Sequence, residues 1–218
     1  MTADTPVRTS PLAHWEPRLP PGMTARELPF LTQLTLRVAP GSTAARSVEA
    51  HLGHALPGPG RAHLDADVET LWLGPDEWLL VAPAGRSAEL VTGLRAAIGG
   101  EFATVTDTSA QRTVLALSGE LVPDVLAQGC ALDLDARATP AGACRTTLLA
   151  QAGVTLVVRE AGPRHVWLLV RSSFAGYVAA WVADACTEFV GNAAARTPHG
   201  PTPPPPAAAP ASSPPPRP

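Results

Sequence analysis

The polar segment at residues 107–112, which reads DTSAQR between two apolar runs, carries the side chains best suited to chemistry. Asp107, Ser109 and Arg112 supply a carboxylate, a hydroxyl and a guanidinium. Nucleophilic or general-base catalysis also needs a histidine or another base within hydrogen-bonding reach, and the sequence identifies no such partner. We therefore favour a structural interpretation, in which Asp107 and Ser109 cap a turn and Arg112 pairs with a carboxylate.

The other candidate ligands are histidines and cysteines. His51 and His54 lie three residues apart on a predicted helix and His63 follows, but no further ligand comes at a spacing typical of zinc sites. A solvent-exposed helix edge is the favoured interpretation of these histidines. The cysteines include no C-x-x-C pair, which favours buried small side chains in a reducing compartment. They are Cys130, Cys144 and Cys186.

Composition and motifs argue against several functional classes. The formal net charge is −3, which gives no electrostatic reason to expect a nucleic-acid partner. The fingerprints of dinucleotide, P-loop, serine hydrolase and zinc protease sites do not occur in the sequence. The first ten residues lack the apolar core of a signal peptide, and no apolar run is long enough to span a bilayer. We expect a cytoplasmic protein that does not enter the membrane.

Alternating and helical hydrophobic patterns predict the elements that position the polar segment. Val48, Leu52 and Leu56 recur at fourfold spacing on one predicted helix. Ser118 is the predicted N-cap of another, because its hydroxyl can accept from a free amide of the first turn. Strands are predicted at 31–38, 68–73, 77–81, 112–117, 145–150, 154–159 and 165–170, and helices at 44–56, 85–98, 120–128 and 172–188.

The same order of elements occurs twice. The tetrapeptide WLLV at residues 78–81 returns at 167–170, and each copy leads into a predicted helix. The simplest account is an α+β fold made of duplicated β-α-β-β-α units, which form antiparallel sheets with helices on one face. We predict an N-terminal arm at 1–22, a domain at 23–190 with pseudo-repeats at about 31–103 and 104–190, and a disordered Pro/Ala-rich tail at 191–218.

Several segments in this order resemble a known family. They are Ser10-Pro11-Leu12, LWLGPDEWLL at 71–80, TDTSAQRTVLALSG at 106–119, GCALDL at 129–134, GACRTTL at 142–148 and LVRSSF at 169–174. Over residues 10–188 the chain resembles the tetrahydrofolate-binding T-protein (aminomethyltransferase) superfamily and, within it, the gamma subunit of heterotetrameric sarcosine oxidase.

The resemblance implies a T-protein-like fold and a small subunit of a four-subunit flavoprotein. That enzyme oxidatively demethylates sarcosine to glycine, with hydrogen peroxide and formaldehyde or methylene-tetrahydrofolate as products. It implies alpha, beta and delta partners that hold FAD, FMN, NAD, tetrahydrofolate and zinc, and no cofactor in this chain. Where an active T-protein has Asn and acidic residues after its last strand, this chain has Arg171-Ser172-Ser173. We therefore predict no catalytic, cofactor or metal residue.

Two functions remain open at this point, and so does whether the chain alone is an enzyme. A structural subunit would meet its partners through Leu12 and Trp15 of the arm, the polar segment with Asp107 and Arg112, and Arg171. Trp15 is also expected to pack on its own domain. A stand-alone folate-binding or one-carbon-transfer protein would need a concave pocket between the two halves with a carboxylate facing the pterin, for which Asp107 is the candidate.

Overall fold

The computed structural model describes residues 8–64, 66–160 and 162–191, so residues 1–7 of the predicted arm and the predicted tail from residue 192 onward lie outside it. The strands are β1 Thr24–Leu28, β2 Thr32–Val38, β3 Ala62–His63, β4 Glu69–Gly74, β5 Glu77–Ala82, β6 Ala103–Asp107, β7 Arg112–Ser118, β8 Cys144–Leu149, β9 Ala152–Val158 and β10 His165–Arg171. The helices are α1 Thr43–Leu52, α2 Ser87–Ile98, α3 Val122–Ala127, α4 Ala175–Ala185 and α5 Thr187–Gly191.

Within the described residues the strands form two antiparallel sheets of five strands each. Sheet N has the order β3-β4-β5-β2-β6, and sheet C has the order β1-β7-β10-β9-β8. The prediction of antiparallel sheets with helices is confirmed. Strand β1 precedes all of sheet N in the chain yet pairs with β7 of sheet C, Leu28 lying opposite Val114.

The two sheets pack face to face, and each carries helices on its other face. Helices α1 and α2 share a buried cluster with sheet N, and α3 and α4 share another with sheet C. Between the sheets, Leu79 and Val81 pack with Val114, Val157 and Leu169. The order of layers is therefore helix, sheet, sheet, helix.

The two WLLV copies do not occupy equivalent positions in these layers. Trp78 packs on the helix side of sheet N, whereas Trp167 packs between the sheets. Successive side chains of a strand point to opposite faces of the sheet. The two copies therefore point equivalent side chains toward opposite layers, as a shift of one residue in one strand would do.

The edges of the sandwich are joined by the main chain. At one edge the Ala62 amide donates to the Gly142 carbonyl (2.8 Å) and the Cys144 amide donates to Gly60 (2.9 Å). Gly60 has φ +67°, a backbone conformation that residues with a side chain rarely adopt, so a substitution there would be strained. At the other edge residues 108–111 carry the chain from β6 of sheet N to β7 of sheet C.

The helices begin and end at residues different from the predicted ones where capping interactions set their ends. Helix α1 follows Ser42, whose Oγ accepts from the Ala45 amide (3.1 Å), and it ends at Gly53 in the left-handed region, so Leu56 lies outside the helix. The predicted N-cap role of Ser118 is wrong. Ser118 ends β7, and α3 begins only at Val122, which Leu121 precedes without a side-chain cap.

The other predicted helices are reproduced more closely. Helix α2 buries Leu90, Leu94 and Ile98, as its spacing predicts. The predicted helix at 172–188 divides into a 3-10 turn at Ser172–Phe174, then α4, then α5.

Candidate functional site

The polar segment forms a tight turn between β6 and β7, in which Asp107 is the hydrogen-bond acceptor. The Ser109 amide (2.9 Å) and the Ser109 hydroxyl (2.6 Å) both donate to Asp107 Oδ1. The Ser87 hydroxyl, at the start of α2, donates to the other oxygen. The prediction that Asp107 and Ser109 cap a turn is confirmed.

These contacts define the electrostatics of Asp107. Hydrogen bonds from Ser109 and Ser87, with a smaller contribution from the Arg8 charge, hold the pKa of the Asp107 carboxyl below its usual range. The carboxylate is therefore ionised at neutral pH. A group of this kind is a poor general acid or base, since such catalysis needs a pKa near the working pH.

Gln33 ties the polar segment to sheet N. Its main-chain amide donates to Ser109 Oγ (3.0 Å), and its main-chain carbonyl accepts from the Thr108 amide (2.9 Å). Its side-chain Nε2 donates to the main-chain carbonyl of Arg112 (3.0 Å). Gln33 is buried in β2, next to β6 in the sheet. The sequence prediction missed this residue. The signal in the sequence that could have identified Gln33 is a polar amide side chain within an otherwise largely apolar strand.

Arg112 does not pair with a carboxylate, so that prediction is wrong for the part of the chain that the structure describes. It lies directly opposite Arg171 in the β7–β10 register. Its Nη1 is buried and has no hydrogen-bond partner within the described ranges. Burial, and then the Arg171 charge, lower the pKa of the Arg112 guanidinium, while Glu77 raises it.

Two adjoining clefts open beside the polar segment. The arm cleft has a volume of about 350 Å³ and the loop cleft about 760 Å³. Arg8, Phe30, Ser109 and Ala110 line both, and the Arg8 guanidinium lies 4.7 Å from the centre of the Phe30 ring. The arm cleft is lined by Arg8, Thr9, Ser10, Pro11, Phe30, Ser109, Ala110, Arg112, Thr113 and Ser172.

A third pocket, of about 400 Å³, lies between the sheets and is lined by two acidic residues, Asp67, which pairs with Arg86, and Glu69. Leu31, Glu69 and Val81 of the N-terminal half and Trp167 of sheet C are among its lining residues. Glu69 accepts two hydrogen bonds of 2.6 Å from Arg159, whose guanidinium lies 4.0 Å from the Trp167 ring centre. The Glu69 carboxylate is therefore already neutralised by an arginine.

The arm packs against its own domain. Leu12 is only 8% exposed and belongs to the sheet C core, and Trp15 is half-buried against the same cluster. The expected packing of Trp15 on its own domain is confirmed. In this arrangement Leu12 offers almost no surface to another protein.

Two exposed aromatic side chains at the start of α4, Phe174 and Tyr177, form what we call the aromatic stripe. They are 46% and 42% exposed, respectively. Phe174 and Tyr177 are three residues apart at the start of α4, and Tyr177 Oη accepts from the Gln151 amide (3.3 Å), beyond the end of β8. The stripe therefore joins α4 to the β8–β9 turn.

The histidines and cysteines form no cluster of three or more metal ligands in the described residues. His51 is exposed as predicted, but His54 lies beyond α1, stacks on His63 with ring centres 3.9 Å apart, and contacts Thr70 Oγ1 (2.9 Å). All three cysteines are buried, as predicted, and burial raises the pKa of the Cys144 thiol to about 12.

Comparison with known proteins identifies the family. A sequence model described as "Sarcosine oxidase, gamma subunit family" matches residues 38–188. The chain belongs to the sarcosine oxidase gamma subunit family. It is 37% identical over 199 residues to a sarcosine oxidase subunit gamma of Corynebacterium sp. strain P-1, covering 88% of this chain and 96% of that protein. It is 37% identical over 198 residues to an Arthrobacter subunit gamma, with the same shares covered.

Solved structures agree with this assignment. A chain of heterotetrameric sarcosine oxidase from Corynebacterium sp. U-96, in complex with pyrrole 2-carboxylate, matches with a TM-score of 0.75 and 37% identity, covering 84% of this chain and 96% of that one. The glycine cleavage system aminomethyltransferase T from Bartonella henselae matches with a TM-score of 0.54 and 17% identity, covering 74% of this chain and 45% of that one. This second match shows a shared fold. Within the described ranges, no helix has both the length and the hydrophobicity needed to cross a membrane.

Proposed function

We propose that this chain is the non-catalytic gamma subunit of a heterotetrameric sarcosine oxidase, where it supports assembly and stability of the complex. The complex would oxidatively demethylate sarcosine to glycine and produce hydrogen peroxide and formaldehyde or methylene-tetrahydrofolate. The main support is the 37% identity and the TM-score of 0.75 over 96% of a chain from such a complex.

The non-catalytic role is supported by the contacts of the two carboxylates Asp107 and Glu69. Asp107 is occupied by serine donors and stays ionised. Glu69, in the pocket between the sheets, is neutralised by Arg159. Asp107 therefore has no proton to donate at neutral pH, and both oxygens of Glu69 are already bound to Arg159, so neither carboxylate is free to act on a pterin or an amine.

The partners of the proposed complex are its alpha, beta and delta subunits, in the cytoplasm. We assign FAD, FMN, NAD, tetrahydrofolate and zinc to those subunits and no cofactor to this chain. The proposed contact surface is the aromatic stripe together with Asp107, Arg112, Arg171 and the exposed part of Trp15. An exposed patch of aromatic residues beside polar groups is typical of subunit interfaces.

We further propose that the two halves arose by duplication. Sheet N with its helices follows the order β2-α1-β3-β4-β5-α2, and sheet C follows β7-α3-β8-β9-β10-α4. The strands occupy matching places in the two sheets, with β6 and β1 as the corresponding edge strands. The repeated unit in this proposal is β-α-β-β-β-α, one strand longer than the predicted β-α-β-β-α unit.

The experiment is co-expression of a tagged chain with candidate alpha, beta and delta subunits. A stoichiometric, flavin-yellow complex with sarcosine-dependent peroxide production is expected. Tyr177→Glu should abolish co-purification because it places a charge in the aromatic stripe, whereas Phe102→Glu should not. Phe102 is a matched control because it is 95% exposed but lies between α2 and β6, on the other sheet. Failure of the wild-type chain to associate would overturn the proposal.

A stand-alone folate-binding protein is the second candidate. The pocket between the sheets favours it, because it is concave and contains the carboxylate of Glu69. Titration of the isolated chain with tetrahydrofolate tests it. Tight binding that Trp167→Ala removes would support this function, and absence of binding with a stable wild-type complex would exclude it.

A further inference from the structure

Arg112 and Arg171 place two positive charges side by side. They form a directly opposed pair at the end of the antiparallel β7–β10 ladder, so both side chains leave the same face of sheet C. Like charges in this position repel each other. Burial and, second, the Arg171 charge lower the pKa of the Arg112 guanidinium.

Other arginines of the described chain show what this pair lacks. Arg37, Arg86 and Arg159 each contact one or two carboxylates within 3.3 Å. Glu77 influences Arg112 through its charge but hydrogen-bonds to Arg37. A buried guanidinium nitrogen without an acceptor carries a large desolvation cost, and an anion within reach would remove that cost.

The arm cleft next to Arg112 suits an anion. Its lining includes Arg8 and the hydroxyl residues Thr9, Ser10 and Ser172, and no carboxylate among the described residues. Its volume of about 350 Å³ is sufficient for a phosphate ion or for the end of an acidic side chain. Asp107 lines the loop cleft instead, and its carboxylate already accepts hydrogen bonds from the Ser87 and Ser109 hydroxyls.

We propose that Arg112, which lines the arm cleft, binds an oxyanion, a carboxylate or a phosphate group, together with Arg171, which lies opposite it on β10 and directly before the cleft residue Ser172. The guanidinium fork presents parallel N–H donors to two oxygens of such a group, and hydrogen bonds of this charged type are about twice as strong as neutral ones. The oxyanion comes either from solution or from a carboxylate on a partner subunit. The second source rests on the proposed function.

The first test uses the full chain alone with inorganic phosphate, at constant ionic strength adjusted with chloride. At ~100 times its Kd, a ligand that binds only the folded state raises the folding equilibrium constant about 100-fold, which appears as a higher melting temperature. Arg171→Gln should abolish the phosphate effect. Arg137→Gln should keep it, because Arg137 is exposed and pairs with Asp135 outside the cleft. Arg112→Lys should weaken it by loss of the fork.

The second test separates the two sources. If phosphate has no effect but Arg171→Gln loses co-purification with the other subunits while Arg137→Gln retains it, the oxyanion is a partner carboxylate. Assembly of the wild-type complex checks the proposed function by itself, so the two failures are distinguishable. If Arg171→Gln and wild type behave alike in both tests, Arg112 Nη1 does not need an oxyanion at this site and the proposal is overturned.

Discussion

Arg159 and Arg112 occupy similar places in the sandwich but have different surroundings. Each is two residues away from a valine that packs between the sheets. Arg159 follows Val157, and Arg112 precedes Val114. Arg159 meets Glu69 from sheet N, and both side chains are only 12% exposed. Arg112 meets Arg171 instead. Arg159 therefore links the two sheets through an ion pair, whereas Arg112 has no carboxylate partner among the described residues, which is the basis of the proposed oxyanion site.

The largest expected effect comes from breaking the satisfied pair. Arg159→Met leaves the Glu69 carboxylate buried without its partner and should lower the free energy of unfolding by about 3 to 5 kcal/mol. Urea denaturation measures the loss. The double variant Arg159→Met/Glu69→Leu should recover most of it, because no buried charge remains. A loss below about 1 kcal/mol in the single variant would contradict a role for this pair in joining the sheets.

A smaller loss is expected from the aromatic side chain under Arg159. Trp167→Leu keeps an apolar group but removes the ring that contacts the guanidinium, and it should cost about 1 to 2 kcal/mol. The same urea experiment measures it. In the Arg159→Met background the substitution should cost less, since the cation is absent there, and equal costs in the two backgrounds would show that the contact contributes nothing.

Arg112→Met should have the opposite sign from Arg159→Met. It removes a buried donor without a partner and relieves repulsion from Arg171, so the isolated chain should keep or gain stability, within about 1 kcal/mol. Denaturation of the two methionine variants side by side makes the comparison direct. A loss similar to that of Arg159→Met would show that Arg112 is fully satisfied within its own chain.

The smallest effect concerns pH and the stacked histidines. Burial, and then His63, lower the pKa of His54 from its usual 6.5 in the folded chain. The unfolded chain therefore binds the proton more readily, and the contribution to stability is complete above pH 6.5 and is lost as the pH falls below it. His54→Gln should flatten this part of the stability profile, measured by thermal unfolding between neutral and mildly acidic pH. An unchanged slope would rule His54 out as its source.

Local patterns predicted the parts of the fold that local physics decides. Leu90, Leu94 and Ile98 repeat at the helical period, and burial of one face is sufficient to specify α2. The sequence does not predict strands β1, β3 and β6, because β1 has no fully buried residue, β3 is two residues long and β6 buries only Val105, so none of them has a clear hydrophobic pattern. Strands β1 and β6 also pair with strands that are distant in the sequence, β7 and β2 respectively.

The site shows the same division. Turn-forming residue types were sufficient to predict the capping of the polar segment by Asp107 and Ser109. The partner of an arginine depends on tertiary structure. Glu69 and Arg159 are brought together only when the two sheets pack, and Arg112 faces Arg171 only through the β7–β10 register. Nothing in the neighbouring sequence distinguishes these two arginines.

The pairing of β1 with β7 determines an order of events during synthesis on the ribosome. The strands and helices of sheet N, from β2 to β6, leave the ribosome in one continuous stretch and complete their pairings first. Strand β1 emerges before all of them, yet its partner in sheet C follows them. Until β7 emerges, β1 is an exposed strand with free backbone groups, which other chains can capture. A nascent chain that has released β6 but not β7 would therefore expose β1 without its partner.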